Sequence, residues 1–165
     1  MAPNHPVVRV ASDFEVRYPT SSATATECAM NLVFTSDLLV KHIASLLQPL
    51  NLTPTSGLVL SILADAGSPL PPNEIADRLI ISRATVTGLL DSLERREYIQ
   101  RLPHPTDRRM LLVEIREAGL YAVNVFRPIV HQHQKEWFAV LSETEQQQFI
   151  DSLHRLQERL LDSDG

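Results

Sequence analysis

Residues 82–94 read Ser82-Arg83-Ala84-Thr85-Val86-Thr87-Gly88-Leu89-Leu90-Asp91-Ser92-Leu93-Glu94. Two short apolar runs follow, separated by Pro103-His104-Pro105-Thr106-Asp107-Arg108-Arg109. The spacing of Ala84, Val86, Leu89, Leu90 and Leu93 predicts one apolar helical face, with Ser82 as N-cap. The other face carries Arg83, Thr85, Thr87, Gly88 and Asp91. Small residues there let a helix sit close to another surface, although Gly88 costs about 1 kcal/mol of helix propensity relative to Ala. An ordinary solvated face has the same composition. Tyr98 to Leu102 alternates like a strand, Met110 to Ile115 supplies a second, and the basic turn between them closes a hairpin.

Working toward the N-terminus, Pro72 opens a helix through Glu74, Ile75, Ala76 and Leu79, and Gly67 to Pro72 reads as a loop. Leu58 to Ala66 is a short helix whose first turn accommodates Pro54. Thr26 to Leu50 is a long apolar-periodic stretch, and residues 1–24 read as an extended arm. Toward the C-terminus, Glu117 to Val140 forms another long helix with Pro128 bending it. Ser142 and Glu145 make a capping box at the start of the last helix, whose apolar face is Phe149, Ile150, Leu153, Leu156 and Leu160. The fold class is therefore mainly α with a small β wing. Two helices joined by a tight turn and followed by a basic-tipped hairpin make a compact reader of DNA. The second helix enters the major groove, and the hairpin arginines reach phosphates or the adjacent minor groove.

Composition frames this reading. The 165 residues suffice for one core, and 44% hydrophobic with 21% charged residues suits a globular chain. Net charge is −5, yet residues 71–116 hold eight Arg against seven acids, so this segment balances at +1 and the rest at −6. The least acidic part of the chain is thus the part expected to meet DNA. The uncharged apolar runs are too short for a bilayer span, and residues 1–26 lack the pattern of a secretory signal. With a single cysteine, Cys28, excluding an internal disulfide, a cytoplasmic location is expected.

The segment from Leu52 to Tyr121 resembles the multiple antibiotic resistance regulator (MarR) family of winged helix-turn-helix repressors. The resemblance rests on Leu52-Thr53-Pro54, on Asn73-Glu74-Ile75-Ala76-Asp77-Arg78-Leu79, on Ser82 to Glu94, and on His104-Pro105-Thr106-Asp107-Arg108-Arg109 with the strand and Gly119 that follow. It implies a homodimer held by residues 26–50 and 117–162, around a DNA-binding domain at 51–116, with 1–25 as an N-terminal arm. It implies repression at an inverted-repeat operator, released by stress or by a small phenolic or amphipathic ligand held between the dimer helices and the winged domain. By the same resemblance Ser82, Arg83, Thr85, Thr87 and Gly88 face the major groove, and His104, Arg108 and Arg109 lie on the wing. Asp91 is expected to orient a wing arginine, Arg109. Two positions depart from the family: Glu97 stands where Gly usually precedes the wing, and Arg116 stands where Thr usually caps the next helix.

Other features have competing readings. Cys28 lies where peroxide-sensing members place a reactive thiol, but its surroundings, Glu27-Cys28-Ala29-Met30-Asn31, lack their aromatic character, and an inert thiol is the plainer expectation. His131 and His133, two apart on a helix, point to opposite sides and do not chelate one ion; solvated histidines and no metal are the plainer expectation, with separate sites completed by His42, His154 or acids as the alternative. Phe126, Trp137 and Phe138 read as dimer core before ligand box, and by the resemblance lining of an effector cavity is the other reading. No phosphate loop, paired Cys-x-x-Cys or nucleophile elbow supports an enzyme, so no catalytic residue and no cofactor is assigned. The alternative function is a helical dimeric interaction module with weakened DNA binding, motivated by the acidic charge, Gly88 and Glu97, or a thiol-based oxidant sensor through Cys28.

Overall fold

The computed structural model of the chain describes residues 7–107 and 109–162. Arg108, expected on the wing, lies outside the described residues. Among the described residues, seven α-helices, one 3-10 turn and one two-stranded sheet follow in the order α1 (Phe14–Arg17), α2 (Ala23–Leu47), η1 (Gln48–Leu50), α3 (Pro54–Ala66), α4 (Pro72–Leu79), α5 (Arg83–Arg95), β1 (Ile99–Pro103), β2 (Leu111–Ile115), α6 (Glu117–Phe138) and α7 (Glu143–Asp162).

Local chemistry sets the helix starts. Ser22, Thr53 and Ser82 each accept a backbone N–H three residues on, so α2, α3 and α5 begin on capping hydroxyls. Ser142 and Glu145 exchange hydrogen bonds at the start of α7, with the Ser142 N–H donating to Glu145 Oε2 at 2.8 Å. The Ser142 hydroxyl also donates to that carboxylate, and the two bonds together hold its pKa below the usual value. Arg116 occupies the N-cap of α6 without a side-chain cap and instead lies 3.6 Å from Glu97. Pro128 sits inside α6, where the residue whose carbonyl loses its donor, Asn124, is exposed to water. The expectation of a wholly extended arm is corrected: α1 forms within it, closed by an Arg17–Asp13 pair one turn apart.

The ends of η1, α4 and α5 share one geometry. Asn51, Ile80 and Glu97 adopt positive φ of 52°, 53° and 57°. In each, the N–H of the left-handed residue donates three residues back and the next N–H donates five back: Asn51 to Gln48 and Leu52 to Leu47, Ile80 to Asp77 and Ile81 to Ala76, Glu97 to Glu94 and Tyr98 to Leu93. This is the turn that usually takes glycine, and of the three side chains only Asn tolerates it well.

The sheet pairs β1 and β2 antiparallel, with Ile99 opposite Ile115 and Pro103 opposite Leu111. Leu70, in the segment read as a plain loop, exchanges both backbone hydrogen bonds with Val113, at 2.9 and 2.7 Å, and so adds a third rung beside the wing. One core joins these elements: Val59, Leu60 and Leu63 of α3, Ile75 of α4, Val86, Leu90 and Leu93 of α5, Ile99, Val113, and Val123 with Phe126 of α6. Phe126 thus belongs to the interior of the single chain and not, as expected, to a surface between chains. α6 comes so close to the preceding turn that a Cβ on Gly119 would lie 2.3 Å from the Tyr98 carbonyl oxygen.

The core ends at Leu47. Within α2 no residue before it is buried, and α7 has none. Met30, Val33, Phe34 and Leu38 of α2, and Ile150, Leu160 and Leu161 of α7, are exposed instead. The stretch Ala23–Leu50 is long and apolar enough to cross a membrane by length and composition, which the count of uncharged runs did not anticipate because Glu27, Asp37 and Lys41 interrupt it.

Glu97→Gly should raise stability by about 1 kcal/mol by relieving the left-handed turn, and Gly119→Ala should lower it by about 1–3 kcal/mol by overpacking. Urea titration of both variants checks these signs. A destabilised Glu97→Gly would mean that the Arg116 contact outweighs the backbone strain.

Candidate nucleic-acid interface

α5 rests on the core through Val86, Leu90 and Leu93, which leaves its other face to solvent. Ser82, Arg83, Thr85, Thr87 and Gly88 are all exposed, and a Cβ at Gly88 would meet nothing within 4 Å. Ala84, counted by periodicity on the apolar side, is exposed as well. The three-residue step from Ala84 to Thr87 places both on the outer face, so a methyl group stands among the hydroxyls.

The hydroxyls are partly committed. Ser82 Oγ accepts the Thr85 N–H at 3.1 Å and lies 2.8 Å from Thr85 Oγ1. Thr87 Oγ1 donates to the Arg83 carbonyl at 3.0 Å, so its remaining lone pairs suit a donor such as a base amino group.

The wing is stiffened from within. His104 Nδ1 accepts the backbone N–H of Asp107 at 3.1 Å and of Thr106 at 3.3 Å, which leaves Nε2 to carry the ring proton. Asp107 Oδ1 accepts the Arg109 N–H at 2.9 Å, and the His104 N–H closes on the Met110 carbonyl. Arg83 and Thr87 of α5 face Arg109 and Met110 of the wing across a cleft of about 360 Å³, floored by Pro72 and Asn73 of α4. Of the helix and wing candidates, the fold therefore brings Arg83, Thr87 and Arg109 to one concavity, while Ser82, Thr85, Gly88 and His104 do not line it.

The arginine held by Asp91 is not Arg109. Arg101, in β1, donates from one guanidinium nitrogen to Asp91 Oδ1 and from another to Glu94 Oε2, both at 2.6 Å, and its own N–H reaches Glu94 Oε1. Asp91 and Glu94 stand three apart on α5, so a single forked cation spans them. Arg109 follows the hairpin turn, beyond the strand that packs on α5. The readable signal was the pair of carboxylates at helical spacing, followed by an arginine as the one charged residue of β1.

Other arginines are also engaged internally. Arg96 donates to the Leu50 and Asn51 carbonyls and lies over the Tyr98 ring, while Arg78 pairs with Glu74. Among the described residues of this segment, Arg83, Arg95 and Arg109 have no ion pair.

Apart from the α5–wing face, α2, α3 and α6 line an open cavity of about 320 Å³, with Ile43, Leu47, Leu58, Val130, His131 and Gln134 in its walls. Arg127 at its edge donates to both oxygens of Asp65 and to the Ser61 carbonyl, clasping α6 to α3. His133 lies outside this cavity and stacks on Trp137, which His42 meets from α2. Among the described residues no group of three or more His, Cys, Asp or Glu is placed to hold a metal.

Cys28 is exposed, beside a groove of about 530 Å³ between α2 and α7. Its neighbour Glu27 is held below the usual carboxylate pKa by the Val10 N–H and the Arg9 guanidinium. Asn31 completes this seam, exchanging hydrogen bonds with both backbone groups of Val8.

Comparison with known proteins agrees with this geometry. The sequence model of the MarR family matches residues 52–111. The HTH-type transcriptional regulator MhqR of Bacillus subtilis is 31% identical over 121 residues, covering 73% of this chain and 80% of that protein. The HTH-type transcriptional repressor YetL of Bacillus subtilis is 35% identical over 106 residues, covering 62% of each. Among solved structures, S. aureus MepR in its complex with DNA superposes with a TM-score of 0.73 at 26% identity, covering 79% of this chain and 95% of that one. The chain belongs to the MarR family of winged helix-turn-helix transcriptional regulators, and regulating transcription through sequence-specific DNA binding is its function.

Proposed function

We propose that the protein is a homodimeric, cytoplasmic repressor that reads a two-fold-symmetric operator and releases it on binding a small amphipathic or phenolic molecule. The observation that carries the reading is the exposed face of α5, set rigidly against the wing by Arg101. Residues 51–116 form the DNA-binding domain, and residues 26–50 with 117–162 form the dimerisation region. The apolar faces of α2 and α7, which the single chain leaves uncovered, are the surface a second copy would bury. Ser82, Thr85 and Thr87 would meet base edges, Gly88 would allow close approach, and Arg83, His104, Arg108 and Arg109 would meet the backbone or the minor groove. The α2–α3–α6 cavity, apolar with a few polar groups at its edge, is the proposed effector site. A ligand there would push between the dimerisation helices and the DNA-binding domain.

The first test is footprinting of the purified protein on fragments from its own upstream region, with random competitor DNA. Protection of two half-sites about one helical turn apart, some 34–36 Å, is expected. Protection of a single half-site would overturn the dimeric reading.

Arg109→Ala and Arg108→Ala should each weaken binding to all sequences and shallow the salt slope by about two, one phosphate from each protomer. Thr85→Ala or Thr87→Ala should instead change which bases are preferred. An unchanged slope in both arginine variants would remove the wing from the interface.

Asp91→Asn separates positioning from simple electrostatics. Removing a negative charge close to DNA favours binding, whereas loosening Arg101 should weaken operator binding by about tenfold. Titration of the operator at fixed salt reads the sign, and tighter binding would deny Asp91 its orienting role.

A further inference from the structure

Ile80 combines two features that the rest of the chain does not explain. It is β-branched and sits in the left-handed region at φ 53°, ψ 45°, where such side chains are outliers. Its side chain is also 65% exposed, and it belongs neither to the core nor to the apolar residues packed against it. Its neighbour Ile81 packs on the core, so the dipeptide places one isoleucine inward and one outward. The backbone turn itself needs only hydrogen bonds that glycine would make equally well. Among the described residues no core packing of Ile80 offsets this strain, which points to a contact outside the chain.

The position supplies the contact. Ile80 lies two residues before Ser82, in the turn that joins α4 to α5, beside the exposed Arg83, Ala84 and Thr85. The N-terminal end of such a helix is the part that approaches base edges. In the major groove the apolar group on offer is the C5-methyl of thymine. We infer that Ile80 is a specificity residue that reads a thymine methyl group in each operator half-site. The inference rests on α5 being the DNA-reading helix and adds a base contact made from the turn before it.

The test uses duplex sites selected from a random library by the wild-type protein, with each thymine replaced in turn by deoxyuridine. This removes the methyl and leaves every hydrogen-bonding edge unchanged. One thymine per half-site should then cost the wild type about fourfold in affinity, the worth of one buried methyl-sized group. Ile80→Gly and Ile80→Asn should lose that sensitivity, while the glycine variant gains about 2–4 °C in Tm. Glu97→Gly, which relieves the same kind of turn at the far end of α5, should keep the sensitivity. Equal responses to deoxyuridine in wild type and Ile80→Gly would overturn the inference and leave the DNA-reading helix standing. Failure of the library to yield any preferred sequence would overturn both.

Discussion

The geometry of the interface hangs on one cation. Arg101 reaches from the first wing strand to two carboxylates on α5 and is about four-fifths buried in doing so. A pair on an open surface contributes little, because water screens it and two flexible side chains must be ordered. Here both carboxylates are already fixed on one helix and the arginine on a strand, so little further ordering is required. Because α5 and β1 also share the core through Leu90, Leu93 and Ile99, the helix and the hairpin move as one body. On the proposed function, a phosphate contact at the wing tip would therefore constrain the angle at which the helix enters the groove.

The same economy of charge explains how an acidic protein binds a polyanion. In residues 71–116, Arg78, Arg96, Arg101 and Arg116 face acids or carbonyls of their own chain. They hold turns and strands in place and contribute little field outward. A small set at the rim of the α5–wing cleft has no such internal partner among the described residues and is the set proposed for DNA, and acidic residues elsewhere would discourage indiscriminate binding. Such a protein depends more on shape and base contacts than on bulk electrostatics.

Much of this was legible in the residues. Periodicity and capping placed α5 from its first residue, because Ser82 and the run Val86, Leu90, Leu93 are local signals. The hairpin was visible from its alternation. Pairings across the fold were less so. The assignment of Asp91 to Arg109 failed because sequence distance does not say which strand lies against which helix turn. Ala84 was misplaced because a helical face has a soft edge that periodicity alone does not locate. Phe126 was assigned to a surface between chains, whereas the packing of α6 on Leu47 and Gly57 buries it within one. Glu97 looked like an obstacle to the turn and proved compatible with it, since the hydrogen bonds of that turn belong to the backbone.

The placement of α6 has a mechanical consequence. Its 22 residues form a rod of about 33 Å, pinned near one end where Gly119 touches the turn before the wing and clasped near its middle by Arg127. A rod so held is a lever with its fulcrum beside the cavity. A tilt of about 10° about that point displaces either end by roughly 3 Å, close to the 3.4 Å rise between successive bases on a strand. On the proposed function, a protein of this design would not have to unfold to fall silent; it would only have to be left out of register with the double helix by about one step.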